Sequence, residues 1–98
     1  MKNIHTQSIK SFYQAVLSLK NEEECGLFFE DICTVKELQD IAQRLDVAKM
    51  LKDGKSYQTV SAEVGASTAT ISRVNRCLVY GNGGYDTVLK RLRGEDEW

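Results

Sequence analysis

Between Ser67 and Arg76 the chain carries Ser67, Thr68, Thr70, Ser72, Arg73, Asn75 and Arg76, with no acidic side chain among them. Hydroxyls at that density bond phosphate oxygens or base edges, Ala69 and the threonine methyls suit a thymine methyl, and arginines neutralise phosphate or grip guanine. A carboxylate in the stretch would be repelled by the same phosphates. This is the chemistry of duplex-groove contact. Ordinary surface helices and protein-binding helical hairpins share much of the pattern, so groove contact does not follow from spacing alone.

Other chemistries find less support. His5 lies near the N-terminus, no Ser or Cys has an evident base and orienting acid, and no Gly-rich phosphate loop precedes a basic residue. The sequence therefore predicts a non-enzyme. Cys25, Cys33 and Cys77 form an odd set without CxxC spacing, which argues against a disulfide framework and against a metal site and favours buried free thiols. A thiol or metal sensor built on these cysteines stays as a third alternative.

A groove-reading surface needs a frame, and apolar spacing supplies one. Val60, Val64, Ala66, Ile71 and Val74, with small Ser61 and a glycine at Gly65, form a helix-turn-helix layout. Val60 and Val64 face inwards one turn apart, Gly65 takes the left-handed turn, and Ile71 and Val74 pack the second helix across the first. Ser61 is small because two helix axes cross there. Ser56 and Ser67 cap the two helices.

Upstream, Ile9, Phe12, Tyr13, Val16, Leu17 and Leu19 predict an amphipathic helix over 6–20. Asn21 caps the next, with Glu24 reaching back to it and Glu22 and Glu23 favoured by the helix dipole. Leu27, Phe28, Phe29 and Ile32 crowd a wide arc of that short helix, which suits either an internal core or a second chain. Thr34 with Glu37 repeats the capping box before a helix running to Asp53-Gly54. After Tyr80, Gly81-Asn82-Gly83-Gly84 reads as a turn or hinge. Asp86 is expected to cap a last helix with Val88, Leu89 and Leu92 on its apolar side.

Six helices in 98 residues without proline predict an all-α fold. At this size folding hides only roughly 65% of the extended-chain surface, so a partner subunit would help. The expected organisation is a single helical domain over 1–98: dimerisation mainly over 6–52, helix-turn-helix over 56–79, C-terminal helix over 86–93 and acidic tail over 94–98. The net charge is −1, yet residues 55–93 carry six basic and two acidic side chains. A phosphate backbone meets that local face and not the average. No apolar run approaches the ~20 residues needed to cross a bilayer, and Met1 to Lys10 lacks a secretory layout. A cytoplasmic protein without membrane contact is the expectation.

The stretch Ser56-Tyr57-Gln58-Thr59-Val60 … Glu63-Val64-Gly65-Ala66-Ser67-Thr68-Ala69-Thr70-Ile71-Ser72-Arg73 closely resembles the Trp repressor family. Its Gly-Ala-x-x-Ala-Thr-Ile-Ser-Arg string is the specific part, and the likeness is to the YerC/YecD-type branch. Thr34 with Glu37, Leu38 and Arg44 fits the family's capped helix, so the resemblance covers about residues 30–80. It implies an intertwined helical homodimer whose two reading helices stand roughly 34 Å apart and enter successive major grooves. It also implies that Thr68, Ala69 and Ser72 face base pairs, with Thr70, Gln58 and Lys55 nearer the backbone.

In the tryptophan-binding members the amino acid lies between two arginines, which the resemblance carries to Arg44 and Arg73, with Thr34 helping to hold the carboxylate. Here the glycine after the second arginine is replaced by Val74, whose branched side chain should obstruct an indole, and the serine that engages the ligand's amine is replaced by Cys77. No cofactor is expected, L-tryptophan is disfavoured, and another small-molecule effector at Thr34, Arg44, Arg73 and Cys77 stays open. The expected function is a sequence-specific, double-stranded-DNA-binding transcriptional regulator, a repressor acting as a homodimer on a palindromic operator. Its contacts are expected from Lys55, Gln58, Ser67, Thr68, Ala69, Thr70, Ser72, Arg73 and Arg76. The alternative is a helical protein-interaction module using the Leu27 to Ile32 region.

Overall fold

A computed structural model of the chain describes residues 5–94. Of the expected acidic tail, residues 95–98 lie outside them. Among the described residues there are six helices and no strand: α1 (Gln7–Leu17), α2 (Glu22–Ile32), α3 (Val35–Lys52), α4 (Tyr57–Val64), α5 (Thr68–Tyr80) and α6 (Gly84–Leu92). The chain divides between Leu38 and Gln39 into two compact units.

The first unit is held by aromatic rings. Phe12 of α1 stacks on Phe28 of α2 with centroids 6.1 Å apart, and Phe28 meets Phe29 edge-on at 5.4 Å, both within the range of favourable ring pairs. Yet no residue of α1 or α2 is buried. α1 stops at Leu17, short of the expected 20, where the Ser18 hydroxyl donates to the Ala15 carbonyl. Asn21 caps α2 through a 2.8 Å bond from the Glu24 N–H, but the Glu24 carboxylate accepts from the Lys20 N–H at 2.9 Å and not from Asn21. The Thr34–Glu37 box forms in both directions: Glu37 N–H donates to the Thr34 hydroxyl at 3.1 Å, and Thr34 N–H donates to the Glu37 carboxylate at 2.8 Å.

The second unit has the buried core, formed by Val47 and Ala48 of α3, Val60 of α4, Ala66 of the following turn, Ile71 and Val74 of α5 and Leu89 of α6. Ser56 and Ser67 each accept from the N–H three residues on, Thr59 and Thr70, both at 3.1 Å. Two helices thus begin with the same Ser-x-x-Thr cap. Between them Gly65 has φ +78° and its N–H donates to the Ser61 carbonyl. The Ser61 hydroxyl also donates to the Ala66 carbonyl at 3.0 Å, so its small size serves a turn-closing bond as well as a helix crossing.

Around Gly65 a Cβ would find nothing within 4 Å. Gly65→Ala therefore tests backbone conformation alone, and holding alanine left-handed costs about 1–2 kcal/mol. Urea unfolding should show that loss; an unchanged midpoint would mean that the turn does not need its glycine.

α6 begins at Gly84, two residues before the expected start, with Gly83 at φ +82° as the preceding residue and no side-chain cap. Asp86 is therefore not the cap. It sits in the first turn, where its Oδ1 lies 3.0 Å from Lys52 Nζ, and the next residue of α3's end, Asp53, takes Arg93 Nη2 at 2.9 Å. Two adjacent side chains at the end of α3 thus hold the two ends of α6. These partly exposed pairs are worth at most about 1 kcal/mol each, so they orient α6 more than they stabilise it. The cysteines are free as expected, but not buried: Cys25 and Cys33 are half-buried and Cys77 is exposed.

Candidate nucleic-acid interface

α5 has two sides with different jobs. Ile71 and Val74 are shut into the core, while Thr68, Ala69, Ser72, Arg73 and Arg76 are exposed. Thr68, Ser72 and Arg76 follow one another at four-residue steps and so lie on one stripe, with Ala69 and Arg73 along its side. From Thr68 to Arg76 the axis rises about 12 Å, or three to four base-pair steps at 3.4 Å each. Lys55, in the turn before α4, and Gln58, on its first turn, are exposed in the same unit.

Two of the expected contact residues are already engaged. The Ser67 hydroxyl accepts from the Thr70 N–H and lies 3.1 Å from the Thr70 hydroxyl, and Thr70 is half-buried. Ser67 and Thr70 build the start of α5, which leaves Thr68 and Ser72 as the exposed hydroxyls of the stripe.

The expected effector residues fall in both units. Thr34 belongs to the first and is committed to the capping box. In the second, Arg44 and Cys77 line a cavity of about 610 Å³ whose walls include Ile41, Leu45, Tyr85 and Val88. Val74 is part of the core at 1% exposure, one turn on from Ile71 as the helix-turn-helix spacing predicts, and it does not line this cavity. The ring beside the cavity is Tyr85, which sequence reading did not single out. Its only sequence signal is an aromatic residue just after a glycine turn.

Burial raises the Tyr85 phenol above its ordinary value of 10.0, the Cys77 thiol pushes the same way, and Arg44 and Arg73 pull against them. A raised acid keeps its proton in the folded state, so the stability it gives is complete below about pH 10 and is lost as pH climbs through the folded value. Tyrosinate absorbance of the wild type minus Tyr85→Phe should show a midpoint above 10, and alkaline destabilisation should shrink in that variant. A midpoint at or below 10 would contradict the buried position.

Among the described residues no three His, Cys, Asp or Glu gather as a metal site would need, and no helix is long and apolar enough to cross a membrane.

A helix-turn-helix with a capped, acid-free second helix defines a class, and comparison with known proteins gives it a family. The model of the Trp repressor protein family matches residues 7–93, and the chain belongs to the Trp repressor family. Within it the chain is of the YerC type, being 51% identical over 87 residues to the uncharacterized protein YerC of Bacillus subtilis (strain 168), across 89% of this chain and 84% of that one. Two crystal structures share the fold. A TrpR-like protein from Eubacterium eligens ATCC 27750 matches with a TM-score of 0.88 and 52% identity over 91% of this chain and 92% of its own. A Trp-repressor-like protein from Staphylococcus aureus matches at 0.89 and 49%, over 92% and 90%.

Proposed function

We propose that the protein is a dimeric, sequence-specific DNA-binding transcriptional regulator that reads a palindromic operator in the major groove. The observation that carries this reading is the exposed stripe of Thr68, Ser72 and Arg76 on a helix whose opposite side is locked into the core by Ile71 and Val74. Thr68, Ala69 and Ser72 read base edges, Arg76 and Arg73 reach base or phosphate, and Lys55 and Gln58 hold the backbone. Ser67 and Thr70 act by starting the helix in register. Membership of the Trp repressor family supports the reading.

The dimer is supported by what one protomer leaves uncovered. Leu17 is 77% exposed, Val35 74% and Leu27 65%, and neither α1 nor α2 buries a residue. Amphipathic helices draw most of their stability from packing an apolar side, and a second copy of the same chain supplies it. Two copies also supply the second reading helix that a protein with so little excess positive charge needs.

Selection from a random duplex pool with purified protein tests the reading. A palindromic motif is expected; recovery of no motif would leave the protein-interaction module, for which the exposed Leu27 and Ile32 speak. Salt gives a second measurement. With Lys55, Arg73 and Arg76 from each protomer on phosphates, log K should fall against log salt with a slope of roughly −5. A slope near zero would remove the phosphate contacts.

A further inference from the structure

The turn Gly81-Asn82-Gly83-Gly84 joins α5 to α6 and carries chemistry that DNA reading does not use. The side-chain carbonyl carbon of an asparagine and the next backbone nitrogen can close a succinimide ring, and a glycine in the next place has no Cβ to shield that nitrogen. Three asparagines lie among the described residues, in different surroundings. The Asn21 side chain accepts from the Glu24 N–H at 2.8 Å, and Glu22 after it already belongs to α2. Asn75 is half-buried within α5, so the N–H of Arg76 after it is held in the helix ladder. Asn82 is exposed, lies between two helices and is followed by Gly83, whose N–H donates to no backbone carbonyl among the described residues.

The same asparagine stands where a new charge would matter. Asn82 and Arg44 share the wall of the cavity of about 610 Å³, and no acidic side chain lines it. Asn82 also comes one residue before Gly83, at φ +82°, which begins α6 with no side-chain cap. A carboxylate at this place meets a guanidinium within one cavity and the positive end of a helix dipole. The turn itself has little slack, since a Cβ on Gly81 would collide with the Cys77 carbonyl oxygen.

We propose that Asn82-Gly83 is a self-modification site, at which the chain deamidates itself and replaces a neutral amide on the cavity wall by a carboxylate that Arg44 attracts. Solvent hydroxide takes the Gly83 amide proton, and the nitrogen attacks Asn82 Cγ. The new N–Cγ bond closes the ring as the Cγ–Nδ2 bond breaks, and Nδ2 leaves as ammonia with a proton from water, which regenerates hydroxide. Water then opens the ring. Cleavage at Cγ gives an aspartyl residue at position 82; cleavage at the main-chain carbonyl carbon gives an isoaspartyl residue, whose backbone is one methylene longer. No electrons are exchanged, and water is the sole co-reactant. The aspartyl product keeps the turn and adds the charge, whereas the isoaspartyl product also lengthens a turn that Gly81 already holds against α5. Because ammonia is lost to solvent, product accumulates with the age of each molecule. The reaction needs neither DNA nor a second chain, so it stands apart from the function proposed above.

The test uses the full chain, purified and folded, incubated at neutral and at mildly alkaline pH and then cut by trypsin after Lys and Arg. Asn82 falls in fragment 77–90, which contains no other asparagine. In mass spectra that fragment should gain about 1 Da and separate into two products, at least about 10-fold faster than the fragments carrying Asn21 or Asn75, and faster at the higher pH. Asn82→Gln, whose longer side chain closes a ring poorly, should keep its mass. Conversion of Asn82 no faster than that of Asn21 and Asn75 would overturn the proposal, as would the same mass gain in fragment 77–90 of Asn82→Gln.

Melting temperature at fixed protein concentration reads where the charge lands. Asn82→Asp should melt roughly 2–5 °C above the wild type, and Arg44→Ala should remove at least about half of that rise. No rise, or the full rise in the Arg44→Ala background, would refute the part given to Arg44. If Arg44→Ala does not fold, added salt decides: screening should shrink the difference between Asn82→Asp and the wild type, and a difference indifferent to salt would refute the attraction.

Discussion

The double variant Ser72→Ala with Arg76→Ala should bind the selected operator at least about 100-fold more weakly than the wild type, with its fold intact. Each good side-chain contact to a base is worth about 1–3 kcal/mol, and a dimer loses the pair twice, so the four lost contacts come to at least about 4 kcal/mol, above the roughly 2.7 kcal/mol that 100-fold represents. Both positions are exposed on α5, where substitution shifts stability by roughly 0.5 kcal/mol or less, and alanine is the better helix former than serine. Helicity and melting temperature should therefore stay put. Ser67→Ala is the contrasting control. It removes the cap that accepts from Thr70 N–H, so it should cost about 1 kcal/mol of stability and weaken DNA binding through the helix start. Operator affinity of the double variant within 3-fold of wild type would remove the reading face.

The local features of this fold were legible because their causes are local. A Ser or Thr followed three residues later by its partner produced the caps at Ser56, Ser67 and Thr34. Apolar spacing also gave Val60, Ile71 and Val74 as the helix-turn-helix core, and Gly65 marked its own left-handed turn. The features that escaped depend on residues far apart in sequence. Asp86 looked like a cap because a short acid before an apolar run is one locally, but Lys52 draws it into an ion pair across the fold, and α6 starts at the permissive Gly83-Gly84. Cys77 was expected to be buried because thiols commonly are, whereas on α5, about 60° round the helix from Val74 and 120° from Ile71, it falls at the edge of the core side and is exposed.

The candidate site divides along the same line. The exposed polar side of α5 was visible in the sequence because it is one helix, whose periodicity decides which side chains go inside and which remain. Only the engagement of Ser67 and Thr70 with each other altered that picture. The effector side was visible only as a resemblance, since Arg44, Arg73, Cys77 and Tyr85 come from three helices and no spacing rule brings them together. Val74, by contrast, was legible from helical periodicity as the next core position after Ile71, and the packing bears that out.

Ile71→Ala should be the most destabilising single change in the second unit and should abolish operator binding without touching a contact residue. Ile71 heads the largest fully buried side chains, and truncating such an isoleucine costs about 2–5 kcal/mol, whereas Ile71→Val costs about 1. A chain of this size has roughly 5–15 kcal/mol of stability altogether, so the alanine variant loses a large share of it. The core has little with which to compensate: two of its seven buried side chains are alanines, Ala48 and Ala66, and a cavity at Ile71 opens where α5 meets the rest of the unit. Urea unfolding at fixed protein concentration, needed because a dimer's stability depends on it, should give the order wild type, Ile71→Val, Ile71→Ala. A loss below 1 kcal/mol for the alanine variant would mean that this core is not what places α5. Set against the Ser72 and Arg76 variant, the outcome separates two ways of losing DNA: there the fold survives and the contacts go, while here the contact side chains remain and the helix that presents them is no longer held.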